Sequence, residues 1–171
     1  MAEQLIHPFP PLFDSESRVL ILGSFPSVKS REARFFYGHP QNRFWKLIPR
    51  LFDAPVPQTI EEKKALILSC HLALWDTIQS CTITGSSDSS IRDAAPNDLR
   101  VILENSRVER IFCNGAVSYN LYQKYSYPIT KMKAQKLPST SPANAAWSLD
   151  RLTEAWRVIL YQRDAAPDPA F

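Results

Sequence analysis

Short apolar runs, separated by segments with helical spacing, constrain the fold of this chain more than any other feature. The first run, Val19-Leu20-Ile21-Leu22, contains no polar residue, which is typical of a strand buried on both faces of a parallel sheet. Further strands are predicted over 72–75, 108–113 and 131–137, the last with lysines alternating through it. Strands that alternate with helices favour an α/β fold with a mostly parallel sheet covered on both faces.

The helices between these strands are predicted from capping residues and periodicity. Thr59 and Glu62 have the spacing of a capping box, so a helix should start there and run to about residue 69. Pro49 is expected to kink or shorten the helix in which it lies. The other predicted helices are 42–52, 97–104 with Asn97 as its cap, 116–124, and 148–161 with Ser148 as its cap.

The remaining segments are predicted as loops within one domain of 171 residues. Prolines make 7–13 an extended entry segment. The Ser-rich stretch 82–96 is expected to be a surface loop, and 162–171 a flexible tail.

Composition argues against several classes of protein. No apolar run approaches the roughly 20 residues of a membrane span, and the start lacks a secretory signal, so we expect a cytoplasmic protein. The three cysteines, Cys70, Cys81 and Cys113, are far apart without a CxxC pair, which argues against a disulfide scaffold, a zinc site or an iron–sulfur cluster. The histidines are also dispersed, so neither metal nor cofactor is expected.

The charge pattern gives weak support to nucleic-acid binding. The net charge is only +3, but basic residues crowd the stretch that contains Lys29 and Arg31, and also 131–136. Taken alone, such clusters are explained better as solvated surface faces than as a binding site.

Polar residues follow the predicted strands, where open α/β sheets bind ligands. They are Ser24 and Ser27 after the first strand, Asp76 after the second, Asn114 after the third, and the segment 139–144. The first loop, Gly23-Ser24-Phe25-Pro26-Ser27, is neither a nucleophile elbow nor a glycine-rich phosphate loop. Ser24 as an esterase nucleophile would need a nearby base, and none is apparent in the sequence.

Other candidates have two interpretations each. Phe25 and Tyr37 are either core aromatics or rings that stack on a base extruded from DNA. Asn42 is either a helix cap or an amide that reads a base or binds a water. Asn114 is either a turn residue or a second such amide.

Three stretches resemble a known family. His39-Pro40-Gln41-Asn42-Arg43-Phe44-Trp45-Lys46 resembles the HPxNRFWK segment of mismatch-specific uracil-DNA glycosylases. The segments LGSFPS (22–27) and LPSTSPAN (137–144) look most like the hypoxanthine-DNA glycosylase branch of the uracil-DNA glycosylase superfamily.

This resemblance implies a three-layer α/β/α sandwich with a short, mostly parallel four-stranded sheet. It also implies monofunctional hydrolysis of the N-glycosidic bond of a deaminated base, hypoxanthine or uracil, in DNA. The first motif would be Gly23 to Ser27, and the DNA-intercalating loop would lie at 138–144. In the hypoxanthine branch, the important amides match Asn42 and Asn114.

The chain departs from the family at the first motif. Phe25 stands where the mismatch-specific enzymes have a water-positioning Asn, and no Asp occurs in the motif. Asp76 stands where uracil enzymes have a base-reading amide, which puts pyrimidine selectivity in doubt.

The expected site therefore has three groups of residues in a monomer. Asn42 and Asn114 are the expected catalytic residues. The base pocket is expected to contain Gly23, Ser24, Phe25, Pro26, Ser27, Tyr37, His39 and Asp76. The residues expected to contact DNA are Lys29, Arg31, Ser139, Thr140, Ser141, Pro142, Ala143 and Asn144. Two alternatives remain: a damaged-DNA-binding relative without catalysis, and a small-molecule hydrolase that uses Ser24.

Overall fold

The computed structural model describes residues 2–160. The predicted tail at 162–171 and the predicted end of the last helix at Tyr161 lie outside the described residues.

The strands are β1 (Ala2–Ile6), β2 (Val19–Gly23), β3 (Leu72–Asp76), β4 (Ile78–Thr84), β5 (Arg92–Pro96), β6 (Arg110–Asn114) and β7 (Ala134–Leu137). The helices are α1 (Val28–Ala33), α2 (Phe44–Phe52), α3 (Ile60–Ser69), α4 (Arg100–Leu103), α5 (Ala116–Leu121), α6 (Tyr127–Thr130) and α7 (Leu149–Trp156). Short 3-10 segments lie at Asp88–Ser90 and Arg157–Leu160, and a π-helical segment at Tyr122–Ser126 joins α5 to α6.

The predicted parallel sheet is confirmed. It has four strands in the order β3-β2-β6-β7, and every residue of β2 and β3 is buried, as expected where helices cover both faces of a sheet. Gly23 is in register with Asp76, and Asn114 with Leu137. The carboxyl ends of all four strands therefore meet at one edge.

A second sheet contradicts the prediction that 82–96 is a loop. It is antiparallel, with the order β1-β4-β5, and it includes an N-terminal strand that was not predicted. In β4 the residues Ile78, Cys81 and Ile83 are buried together with Phe25. Within residues 2–160, β5 is an edge strand that pairs only with β4, and the register of this pairing shifts twice. Its composition resembles that of a loop, and its backbone hydrogen bonds to β4 make it a strand.

The helix caps agree with prediction at two positions and differ at one. Thr59 Oγ1 accepts from Glu62 N–H, and Ser148 Oγ accepts from Arg151 N–H. Asn97 is not a helix cap, because its Nδ2 donates to the carbonyls of Asp76 and Ile78 and so joins β3 to β4. Pro49 lies inside α2 without ending it.

The main core connects the parallel sheet to the region of the site. Phe44 and Trp156 are fully buried in it, and Trp156 Nε1 donates to the carbonyl of Pro138 at 2.9 Å. This hydrogen bond fixes the start of the 138–144 loop to α7. No helix of residues 2–160 is long and apolar enough to cross a membrane.

Candidate functional site

A cavity of about 370 Å³ opens at the carboxyl edge of the parallel sheet. This volume lies within the usual range for small-ligand pockets, about 300–1,000 Å³. All eight residues expected to form a base pocket line it, and so do Asn42 and Asn114. The remaining lining residues are Ser30, Phe36, Ser86, Asp88, Ser139, Thr140, Ser141, Pro142 and Ala143.

Gly23 allows the close approach of Asp76 that shapes one wall of the cavity. A Cβ atom at position 23 would lie 2.3 Å from Asp76 Oδ1 and 3.6 Å from the Tyr37 hydroxyl. The first distance is far below van der Waals contact. The glycine is therefore required by packing against a neighbouring side chain.

Asp76 is fixed by a residue that sequence reasoning missed. His7 Nδ1 accepts from Phe9 N–H at 3.4 Å, so the ring proton is on Nε2, which donates to Asp76 Oδ2 at 2.7 Å. Both side chains are almost completely buried, at 2% and 6% exposed. His7 lies in the predicted entry segment, where no local pattern distinguishes a buried histidine from a solvated one.

Asn42 lies one residue before Arg43, the N-cap of α2, and uses only part of its amide in the protein's own hydrogen bonds. Its Oδ1 accepts from Phe44 N–H at 2.9 Å, and its Nδ2 has no hydrogen bond to any residue of the described chain. The neighbouring His39 Nδ1 accepts from Gln41 N–H, which leaves Nε2 as its second hydrogen-bonding atom. Asn42 is therefore not the N-cap itself: its oxygen accepts from the first N–H group of α2, and its NH₂ group is available at the cavity.

Asn114 connects β6 to the 138–144 loop. Its Nδ2 donates to Thr140 Oγ1 and its Oδ1 accepts from Thr140 N–H, both at 3.0 Å. Thr140 is fully buried. The side chain thus shapes the cavity by fixing the loop, and it also lies beside the Tyr37 hydroxyl.

A second set of hydrogen bonds that holds the same loop was not expected from the sequence. The Arg43 guanidinium donates to four backbone carbonyls, those of Thr140, Ser141, Asn144 and Trp147. The planar guanidinium group holds its N–H donors in fixed directions, so one arginine side chain can bond several carbonyls at once. The loop expected to enter DNA is therefore attached firmly to the start of α2.

The two aromatic residues expected to stack on a base differ in their surroundings. Phe25 lines the cavity but is only 5% exposed, because most of its ring packs in the second core. The Tyr37 ring stacks on Phe44 with centroids 4.1 Å apart. Its buried hydroxyl lies beside the side chain of Asn114, but it forms no hydrogen bond of good geometry within residues 2–160. Burial, assisted by the negative charge of Asp76, raises the pKa of Tyr37, so the hydroxyl stays protonated.

Asp88 is a further cavity residue that the sequence did not reveal. It lies in the 3-10 segment between β4 and β5, and its Oδ1 accepts from Ser24 Oγ at 2.7 Å. The residue is exposed to solvent on the turn, and partial desolvation of its carboxyl group where it faces the cavity raises the pKa of Asp88, to which the charge of Asp76 adds. The alternation of Cys81 and Ile83 with polar residues was the available signal, since it would have predicted a strand leading to this turn.

Three residues expected to contact DNA do not line the main cavity. Lys29 pairs with Glu32 on the surface. Arg31 donates to the carbonyls of Pro26 and Gly85 and so joins the first loop to the second sheet. Asn144 lines a neighbouring cleft with Trp147.

The donor set at the cavity suits a polar ligand better than a metal. No group of three or more histidine, cysteine or acidic side chains within residues 2–160 could bind a metal ion. The cavity combines amides, hydroxyls and two carboxylates with aromatic walls, as expected for a site that recognises a planar heterocycle.

Comparisons with known proteins agree with this geometry. The family model for the uracil DNA glycosylase superfamily matches residues 10–160. A hypoxanthine DNA glycosylase of Methanosarcina acetivorans is 31% identical over 155 residues, covering 88% of this chain and 95% of the relative. The hypoxanthine DNA glycosylase of Methanosarcina barkeri is 28% identical over 112 residues, or 64% of this chain and 71% of the relative. A solution NMR structure from Methanosarcina acetivorans, assigned to the uracil DNA glycosylases, superposes with a TM-score of 0.75 at 28% identity and covers 92% of this chain and all of that one.

Proposed function

Because the chain belongs to the uracil DNA glycosylase superfamily and is a DNA glycosylase, we propose that it releases hypoxanthine, and secondarily uracil, from DNA by monofunctional hydrolysis. The two curated relatives named above are both hypoxanthine DNA glycosylases. The expected cytoplasmic location, the single domain and the monomeric state remain predictions.

The observation that supports hypoxanthine best is the fixed carboxylate of Asp76 at the cavity. Hypoxanthine has an N1–H donor beside its O6 acceptor, whereas adenine has an unprotonated N1. A carboxylate that is already hydrogen-bonded to His7 can accept N1–H from hypoxanthine and offers nothing to adenine N1. Uracil has an equivalent N3–H beside a carbonyl, which accounts for the secondary substrate.

The reaction needs an extruded nucleotide, a stabilised leaving base and one water. Extrusion costs a few kcal/mol, least at a mismatched or damaged pair. The unpaired Nδ2 of Asn42 is suited to donate to the base or to the water, and Asn114 is the second amide at the cavity. The Phe25 edge and Tyr37 contact the faces of the base.

DNA binding is assigned to the 138–144 loop and to basic side chains. The accessible residues of the loop, Ser139, Ser141, Pro142, Ala143 and Asn144, would contact the phosphates and enter the duplex. Thr140 was also expected to contact DNA, but it is fully buried and would instead hold the loop in place through Asn114. Lys29 and Arg31 would add affinity that is independent of sequence and falls with salt.

A base-release assay tests the proposal. Oligonucleotides with one hypoxanthine, uracil or xanthine are incubated with the protein, and abasic sites are measured after alkaline cleavage. We expect the fastest release from hypoxanthine, and loss of about 10²-fold in rate in Asn42→Ala. Gln41→Ala, an exposed neighbour, is the matched control and should match the wild-type rate. No release from any substrate would refute the enzyme assignment.

Borohydride trapping tests the monofunctional mechanism separately. A hydrolytic enzyme forms no Schiff base, so we expect no covalent adduct with DNA and no strand cleavage before alkali. A trapped adduct would show that a lysine attacks C1′.

The same assays separate the two alternatives. A relative without catalysis would bind hypoxanthine DNA but release no base. A Ser24-dependent hydrolase would hydrolyse small esters, lose that activity in Ser24→Ala and be indifferent to DNA. The partner of Ser24 is a carboxylate, Asp88, and no histidine among residues 2–160 hydrogen-bonds it, so nothing in the geometry favours this second alternative.

A further inference from the structure

The first loop has no acidic residue, yet the folded cavity contains a carboxylate beside that loop. Ser24 in the loop and Asp88 in the turn between β4 and β5 are 64 positions apart, and their side chains hydrogen-bond at 2.7 Å. The carboxylate reaches the cavity from the second sheet, which the sequence did not predict.

Asp88 has a free oxygen available to a ligand. Ser24 donates to Oδ1, and Oδ2 has no hydrogen bond within the part of the chain that the structure describes. No lysine or arginine of this part forms an ion pair with it. Asp76, the other carboxylate of the cavity, accepts from His7 through Oδ2, and the function proposed above assigns its interaction with the ligand to the base.

The turn that presents Asp88 is fixed in place by its neighbours. Val28 N–H donates to Ser86 Oγ at 2.9 Å, and Arg31 donates to the Gly85 carbonyl. Thr84 N–H donates to Ser90 Oγ at the other side of the turn. These contacts position the carboxylate before any ligand binds, as catalysis by preorganised groups requires.

We propose that Asp88 is a catalytic carboxylate that hydrogen-bonds the attacking water through Oδ2 and accepts its proton. This inference rests on the glycosylase function proposed above. The C1′–N9 bond breaks, and its electron pair leaves with the purine while positive charge develops on the sugar. The water oxygen bonds to C1′, and its proton passes to Asp88 and then to the purine nitrogen or to solvent. Ser24 is a positioning residue for this carboxylate.

The ionisable groups around Asp88 are compatible with that role. They are Asp76 from β3, Tyr37, and Cys81 from β4, with Arg31 from α1 near Cys81. Burial and the charge of Asp76 raise the pKa of Asp88, which brings a carboxylate closer to the working pH and makes it a stronger base.

Single-turnover base release by Asp88→Asn, measured from pH 4.5 to 9 on hypoxanthine DNA, tests the proposal. We expect a rate lower by about 10²-fold or more, loss of the acid limb of the pH profile, and DNA affinity equal to or above that of the wild type. Asp93→Asn is the matched control, because it removes the same charge from β5, outside the cavity.

The outcomes separate this inference from the proposed function. A wild-type rate and profile in Asp88→Asn, while Asn42→Ala is impaired, would overturn the role of Asp88 and leave the glycosylase function intact. A slow rate accompanied by equally weakened DNA binding would also overturn it. If the wild type itself releases no base, the proposed function fails first.

Discussion

His7 Nε2 donates to Asp76 Oδ2 at 2.7 Å and joins two residues that are 69 positions apart. One lies in the chain's entry segment and the other at the carboxyl end of β3, at the cavity. Since both side chains are nearly inaccessible to solvent, the pair determines the orientation of a carboxylate that the cavity presents to its ligand.

The substitution His7→Leu is expected to destabilise the protein by roughly 1.5–3 kcal/mol, the usual value of a hydrogen bond to a charged group. It leaves the Asp76 carboxylate buried without this partner. Urea denaturation followed by circular dichroism measures the change. The same substitution in an Asp76→Asn background should cost clearly less, because the charged partner is gone; equal costs in both backgrounds would contradict a direct interaction.

The substitution Gly23→Ala is expected to lower base release by about 10²-fold, the effect of a displacement of about 1 Å in an active site. Its methyl group would lie 2.3 Å from Asp76 Oδ1, so the carboxylate must move. Gly85→Ala is the comparison, since the space around Gly85 is open and only its positive φ is strained. It should lose stability but retain its rate. Normal release by Gly23→Ala would show that the position of Asp76 is unimportant.

The features that could be predicted from sequence are those with a local pattern. The run from Val19 to Leu22 is apolar because both faces of β2 are covered, so its parallel sheet was predictable. The polar groups after each strand converge because parallel strands end at one edge, and Asn42, Asp76 and Asn114 accordingly meet at the cavity.

The features that escaped prediction depend on long-range pairing. β5 has a polar composition and is stabilised by its hydrogen bonds to β4. A short stretch of sequence does not reveal such pairing. Asp88 enters the cavity only because that pairing brings its turn to Ser24. His7 and Arg43 likewise have ordinary sequence surroundings, and their partners are fixed by tertiary structure.

The substitution Arg43→Lys is expected to weaken hypoxanthine-DNA binding and to lower the melting temperature. A lysine retains the charge but cannot bond four carbonyls, three in the loop and that of Trp147 beyond it, as the guanidinium does. At about 0.5–1.5 kcal/mol for each lost hydrogen bond, several degrees of melting temperature should be lost. Arg50→Lys, which affects an exposed pair with Asp150, is the control. Unchanged binding in Arg43→Lys would show that the loop is positioned by Asn114 and Trp156 alone.

Cys81 and Cys113 should resist thiol reagents in the native protein. Burial raises the pKa of Cys81 to about 11 and that of Cys113 to about 12, so at pH 8 very little thiolate is present. Cys70 is partly accessible and should react first with Ellman's reagent, and the other two only after addition of denaturant. Rapid reaction of all three thiols under native conditions would contradict the packing around β4 and β6.

Asp88→Asn should make the protein more stable at neutral pH, although it is expected to slow catalysis. Desolvation of the carboxyl group raises the pKa of Asp88 above its ordinary value of 3.8, so the folded state binds the proton more tightly than the unfolded state. Because the residue is exposed on its turn, solvent screens the charge and the effect on stability is expected to be small. Ionisation therefore opposes folding, and wild-type stability falls as the pH rises from about the unfolded value through the folded one. Asparagine avoids this cost and can still accept from Ser24.

Urea denaturation between pH 3.5 and 7.5 measures this effect as the difference in unfolding free energy between Asp88→Asn and the wild type. The difference should increase with pH through that window and then become constant, whereas Asp93→Asn gives the background effect of one exposed charge. A difference that is independent of pH, or a wild type that is the more stable protein at pH 7, would show that the carboxylate is not strained by its surroundings. An ionised carboxylate that lowers stability can persist in an active site. Selection acts on activity and removes only those variants whose stability falls below what function needs.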